Sequence, residues 1–301
     1  MERLLVVEGP FRFDLALRYL ATSPSTVAEL VDGRGYARAF RAATGAAVAL
    51  VSAPHGGAAG ALRLRVVGDG AGPSALEQAE RIARDAFGLD LDAVGASSFV
   101  ARDRAIAPLA ERYRGLRPLA IPDPFEALCW AILGQQINVA FAARTKRALI
   151  ERYGQPVELD GARLWLFPPP ERLVEVTPEE LRPLQISRQK ALYLAELARA
   201  VVGGQLDLER VRTLPDETAI AALTRLKGVG TWTAEYLLLR GFGRPDALPA
   251  ADVGLRAALG RLHGLGRHAS ETEVRAMAEA WRPYRGFVAF YLWFALQQRE
   301  L

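Results

Sequence analysis

The hydrophobic rhythm of the chain changes about a third of the way along. Over residues 1–94, short runs rich in apolar and β-branched residues, at 4–7, 47–51 and 62–67, are interleaved with two runs of helical spacing, 13–20 and 75–87. Alternation with a period of two puts one set of side chains on a buried sheet face, whereas apolar recurrence at three and four residues builds one face of a helix. These residues therefore predict an α/β or α+β unit. Glycine-rich stretches at 55–60 and 68–72 read as turns, and no Lys-Ser or Lys-Thr pair follows them as a phosphate loop requires.

From about residue 97 the spacing is helical to the end. Helix starts are marked by Pro122-Asp123-Pro124, Thr177-Pro178-Glu179-Glu180, Ser187 and Ser270-Glu271, and stops by Gly154, Gly203-Gly204, Gly243 and Gly264. No solenoid-type repeat recurs. With 301 residues, half of them hydrophobic, the chain can bury a large core and divide into two or three compact units.

Composition narrows the class. No apolar run reaches the roughly 18 residues needed to span a bilayer. The first ten residues carry Glu2 and Glu8 where a secretory leader has basic residues, so neither membrane insertion nor export is expected. A single cysteine, Cys129, sits in an apolar helical run, which excludes an intrachain disulfide and a thiolate cluster and points to a reducing compartment. His55, His263 and His268 lack metal-ligand spacing. The net charge of +4 and pI near 9.4 suit a polyanionic partner. Lysine occurs only at Lys146, Lys190 and Lys227, leaving arginine to supply the positive charge; arginine forks suit phosphate, but a general Ala-Arg-Gly-Leu bias is the plainer cause.

The most informative stretch is LKGVGTWTAEYLLLRGFG, residues 226–243, followed by Asp252 in LPAADVGLRAAL. Gly228 and Gly230 flank one valine between two apolar periodic runs, which predicts helix, tight hairpin, helix. Backbone amides at such a turn point outward and attract an anion, and a DNA phosphate fits the rest of the chain. Trp232 and Tyr236, four apart, share one face of the second helix, and Trp293 belongs to a later apolar helix over 287–296. Aromatic residues at such spacing ordinarily serve packing. Asp252 follows Pro249 and precedes an apolar periodic segment, so it is placed to cap a helix. Function is indicated by the combination of hairpin, paired aromatics, Gly/Pro turn and carboxylate.

That combination resembles the helix-hairpin-helix DNA glycosylase superfamily, and within it the bacterial 3-methyladenine DNA glycosylase II (AlkA) family. The resemblance covers nearly the whole chain: AILGQQINVAFAA at 131–143, WLFPPPERL at 165–173, ISRQKALYLAELA at 186–198, AWRPYRGFVAFYLW at 280–293, and EGPFRFDLALRYLA at 8–21 for the family's N-terminal domain. It implies an α+β fold, with the antiparallel-sheet α/β domain (1–94) followed by a two-lobed all-helical core. One lobe, 122–244, would carry the hairpin; the other, 95–121 with 245–301, would carry the aspartate.

By resemblance, Asp252 is the residue on which catalysis depends, Trp293 the platform on which an extruded base stacks, and Trp232 and Tyr236 walls of the same pocket. Lys227, Gly228, Val229, Gly230 and Thr231 would grip DNA, and Gln136 would fill the gap left by the flipped base. Backbone carbonyls of Thr224, Leu226 and Val229 would hold a monovalent cation, Na⁺ or K⁺, with no other cofactor required. The partner implied is double-stranded DNA containing alkylated bases, bound by a monomer in the bacterial cytoplasm at the nucleoid. Relatives that also cleave the backbone use a lysine just after the hairpin. Here that position is Trp232, so the expectation is a monofunctional glycosylase; a glycosylase/lyase for oxidised bases and a non-catalytic damage-binding protein are the rival readings. The chain departs from the family pattern at Lys227, where proline is common, at Ala251, often acidic, and at Gln136, where an apolar wedge is also seen.

Overall fold

The period-two runs pair into a single sheet. The computed structural model describes residues 1–22, 27–33, 35–54 and 60–301, so all but Gly60 of the turn expected at 55–60 lies outside the described residues. Strands β1 (Glu2–Val6), β2 (Glu29–Asp32), β3 (Gly35–Ala42), β4 (Gly45–Ser52) and β5 (Ala61–Val67) form an antiparallel sheet in the order β1-β5-β4-β3-β2. Helix α1 (Phe13–Thr22) links β1 to β2, and α2 (Pro73–Phe87) follows β5. Leu5, Leu62, Leu64, Val66 and Val51 are buried in a core shared with Ala75, Leu76, Ala79, Ala83 and Phe87 of α2, whose three- and four-residue spacing forms one helix face.

The helical region comprises α3 (Ala93–Val100), α4 (Ala107–Arg112), α5 (Pro124–Gly134), α6 (Val139–Tyr153), α7 (Pro178–Leu181), α8 (Arg188–Val202), α9 (Leu208–Thr213), α10 (Asp216–Leu223), α11 (Thr231–Arg240), α12 (Val253–Leu262), α13 (Glu271–Ala278) and α14 (Arg285–Gln297). Asp123 caps α5 by accepting from the Phe125 and Glu126 amides, Ser187 caps α8, and Thr177 and Ser270 form capping boxes with Glu180 and Glu273. Gly154 and Gly203 close α6 and α8 as read, whereas α11 ends at Arg240, ahead of Gly243, with Gly241 as its cap. The division expected at residue 94 falls inside α3. Among the described residues no helix is long and apolar enough to cross a membrane.

One expectation fails here. Residues 155–166, read as part of a helical stretch, form a hairpin of β6 (Gln155–Leu159) and β7 (Ala162–Leu166). Its two-residue loop is Asp160-Gly161, both with positive φ (47° and 81°), the chemistry such a loop demands. Val157, Leu164 and Leu166 pack on Ala37, Ala39 and Val48, and the Trp165 amide donates to the Val27 carbonyl at 2.9 Å. The sheet is therefore covered on both faces over β3 and β4.

Buried charge ties the sheet to the helices. Glu126 of α5, 1% exposed, accepts from Lys146 Nζ of α6 at 2.6 Å and from the Arg38 guanidinium of β3. Fully buried Arg117 donates to the carbonyls of Glu8, Pro10, Gly88, Leu89 and Leu91, joining the exit of β1, the end of α2 and the approach to α5. Burial pushes the Glu126 carboxyl up, but the Arg38 and Lys146 charges outweigh it and hold the group at about 2, below its ordinary 4.5. A depressed folded-state value means the triad's contribution is complete above pH 4.5 and is lost as pH falls from there through about 2. Glu126→Gln, which leaves two buried cations without a counter-charge, should cost about 3–5 kcal/mol near neutrality. Thermal unfolding of both proteins over that acid range checks this: the difference between them should shrink as pH falls.

Candidate active site

The hairpin between α10 and α11 is built by short-range bonds. The Leu226 amide donates to Leu223 O and the Val229 amide to Leu226 O, both at 3.1 Å, while the Val229 side chain is buried. Gly228 has φ 84°, and a Cβ there would lie 2.3 Å from the Tyr193 ring of α8, so both backbone conformation and close packing require glycine. Gly230 differs: it caps α11 in extended conformation and a Cβ would meet nothing within 4 Å. No side chain caps α11, so its first-turn amides are available to an external anion. Thr224, Lys227, Gly230 and Thr231 are exposed around the turn.

Gln135 fastens this turn to the end of α5. Its Nε2 donates to Gly228 O at 2.8 Å and to Thr233 Oγ1 at 3.2 Å. The adjoining Gln136 is exposed and left-handed, with φ 57°, at the turn between α5 and α6. A non-glycine residue held in that region is uncommon, and such residues cluster at functional sites.

Asp252 caps a helix and also faces the aromatic residues. As cap of α12, its Oδ1 accepts from the Leu255 amide at 2.9 Å. The same Oδ1 accepts from Trp293 Nε1 at 2.9 Å, and Oδ2 accepts from Trp232 Nε1 at 3.2 Å. Two indoles from different helices thus fix one carboxylate. Tyr236 lies between them, its ring centroid 5.5 Å from that of Trp232 and 6.1 Å from that of Trp293. Burial is the chief reason its phenol is pushed up to about 12. Trp130 of α5, which the sequence reading did not single out, joins the group by donating Nε1 to the Tyr236 oxygen at 2.9 Å. The four aromatics and Asp252 are all partly accessible.

Among the described residues no group of three or more His, Cys, Asp or Glu side chains could hold a metal. At the hairpin, the carbonyls of Thr224 and Val229 accept no hydrogen bond from the described residues, whereas Leu226 O already takes the Val229 amide. Free backbone carbonyls are suitable donors for an alkali cation.

An antiparallel-sheet domain, a helical core with an anion-receptive hairpin, and a carboxylate in an aromatic cleft together define a helix-hairpin-helix DNA repair glycosylase fold. The chain belongs to the HhH-GPD superfamily of base excision DNA repair proteins: residues 129–283 match that family's model, and residues 3–122 match that of the AlkA N-terminal domain. A DNA-3-methyladenine glycosylase of Bacillus subtilis is 35% identical over 207 residues, 69% of this chain and 68% of that protein. A probable bifunctional transcriptional activator/DNA repair enzyme AlkA of Mycobacterium tuberculosis is 30% identical over 97% of this chain, which spans 56% of that longer protein. The structure of a 3-methyladenine DNA-glycosylase from Archaeoglobus fulgidus superposes with a TM-score of 0.86 at 25% identity, over 99% of each chain.

The two hairpin glycines should respond differently to substitution. Gly228→Ala, forced into a left-handed conformation against Tyr193, is expected to destabilise by about 1–3 kcal/mol. Gly230→Ala, with open space and only a weaker cap, should cost less than about 1 kcal/mol. Thermal denaturation of the two variants side by side checks the difference.

Proposed function

We propose that this protein is a monofunctional DNA glycosylase that hydrolyses the N-glycosidic bond of extruded alkylated purines, such as 3-methyladenine and 7-methylguanine, and leaves an abasic site. The observation that carries the reading is the Asp252 carboxylate, held by three N–H donors, two of them indoles, against Tyr236. The activities in the names of the Bacillus and Archaeoglobus relatives support it.

Duplex DNA lies across the cleft between residues 122–244 and residues 95–121 with 245–301. Amides at Gly230 and Thr231 bind a backbone phosphate, with Lys227 adding positive charge. The backbone carbonyls of Thr224, Leu226 and Val229 would hold an alkali cation, which would supply one further positive charge toward the DNA. Gln136 enters the stack as the damaged base leaves it; extrusion costs a few kcal/mol, least where pairing is already weakened. An N-alkylated purine is a delocalised cation, and the electron-rich faces of Trp232 and Trp293 attract it more than a neutral base.

Because this base is already a good leaving group, no strong general acid is needed. The C1′–N bond breaks with its electron pair passing to the base, which departs neutral. Positive charge develops on the sugar, as in glycoside hydrolysis, and the Asp252 carboxylate stabilises it. Water adds at C1′ through its oxygen and releases its surplus proton to the surrounding solvent, which leaves the neutral abasic sugar. With Trp232 where bifunctional relatives have a lysine, the site offers no amine for a Schiff base.

Single-turnover release of 3-methyladenine and 7-methylguanine from alkylated duplex DNA tests this. Asp252→Asn should slow release by about 10²-fold or more at unchanged DNA affinity, and borohydride should trap no covalent adduct. Release by the variant at the wild-type rate, or a trapped adduct, would overturn the reading.

A further inference from the structure

The chemistry of Trp130 constrains Tyr236. An indole N–H only donates, so with Trp130 Nε1 at 2.9 Å the Tyr236 oxygen is the acceptor. The phenol proton must then point elsewhere, and no acceptor among the described residues takes it. Burial pushes Tyr236 up to about 12, so the proton is present throughout the neutral range. A half-buried donor that no protein acceptor takes is free to serve a group that enters beside it.

Trp130 is itself held from behind. The Lys146 ammonium stands 5.4 Å from its ring centroid and is fixed there by Glu126 at 2.6 Å. One cation already occupies a face of this indole, which makes Trp130 a poor stacking partner for a second. Trp232 and Trp293, whose rings have no such neighbour among the described residues, are the better platforms for a cationic base. The part left to Trp130 is polar: its N–H decides which way the Tyr236 hydroxyl faces.

We propose that Trp130 is a specificity-determining residue which, by fixing Tyr236 as a hydrogen-bond donor, favours alkylated purines with a carbonyl at C6 over those with an amino group there. The proposal rests on the glycosylase reading above. A 6-oxo group accepts the Tyr236 proton; a 6-amino group presents hydrogens to it and leaves both donors unpaired. Sites built to hydrogen-bond one group reject a mismatched one more strongly than apolar pockets do.

3-Methylguanine and 3-methyladenine carry the methyl at the same ring nitrogen and both are cationic in DNA; they differ at C6 and at the 2-amino group of guanine, so the C6 preference is read from the change in their ratio between wild type and variants that alter only the Trp130–Tyr236 pair. Trp130→Phe keeps an aromatic ring beside Lys146 while removing the N–H together with the pyrrole part of the indole, freeing the Tyr236 hydroxyl to turn and accept. The ratio of single-turnover release rates, 3-methylguanine over 3-methyladenine, should fall about 5-fold in Trp130→Phe. Tyr236→Phe should lower the same ratio by slowing 3-methylguanine more than 3-methyladenine. Equal slowing of the two bases in both variants, or an unchanged ratio, would overturn the specificity role and leave Trp130 a packing residue. Absence of release by the wild type would sink the glycosylase reading itself, an outcome distinct from a ratio that does not move.

Discussion

A buried charge must be paired, and in this protein that rule connects the sheet to the cleft. Glu126 stands where β3, α5 and α6 meet, and its two oxygens are taken by Arg38 and Lys146. Each partner has a second engagement: Arg38 also lies 3.6 Å from Glu29 of β2, and Lys146 lies over Trp130. The direction of α5 is therefore tied to the sheet, and α5 carries Trp130 into the cleft and Gln135 to the hairpin. Such a triad does not necessarily add stability relative to apolar packing. It does forbid alternatives, because any shift of α5 relative to β3 leaves a charge uncompensated.

The cleft applies the same economy to Asp252. Capping α12 fixes the carboxylate's position along the chain, and the two indoles fix its rotation. A side chain so held spends no reorganisation when charge develops nearby, which is the condition for electrostatic preorganisation. The aromatic rings that would receive a base are the same rings that orient the carboxylate, so base position and acid position are coupled through rigid groups.

Local signals in the sequence carried much of this. Asp123, Thr177, Ser187, Asp252 and Ser270 all cap the helices they precede, because a cap involves residues only two or three apart. Gly228 and Gly230 marked the hairpin for the same reason, and the four-residue spacing of Trp232 and Tyr236 placed their rings together. Trp130 and Gln135 were not singled out, although Gln135 lies in the 131–143 segment that carries the resemblance: their partners lie 93 to 106 residues away, and local spacing does not encode such pairings. The β6–β7 hairpin was legible in principle, since Asp160-Gly161 between alternating apolar residues is a hairpin signal, but the surrounding helical texture masked it. The register of β2 and β3, and the burial of Arg38, Glu126 and Arg117, depend on long-range packing that periodicity does not encode.

The contacts that cross from sheet to helices carry a consequence for how the molecule comes apart. The Arg117 guanidinium spends its donors on carbonyls from two stretches of chain, residues 8–10 and 88–91, both on the sheet-domain side, whereas β6–β7, contributed by the helical half, roofs the outer face of the sheet. Cutting the chain between its two family segments would keep Arg117 with its carbonyls, but it would strip the β6–β7 cover from the sheet and split the Arg38–Glu126–Lys146 triad, leaving buried charge unpaired. The sheet domain and the helical core are thus two modules by ancestry and one cooperative unit by thermodynamics: neither is an independent part that can be lifted out and expected to hold its shape.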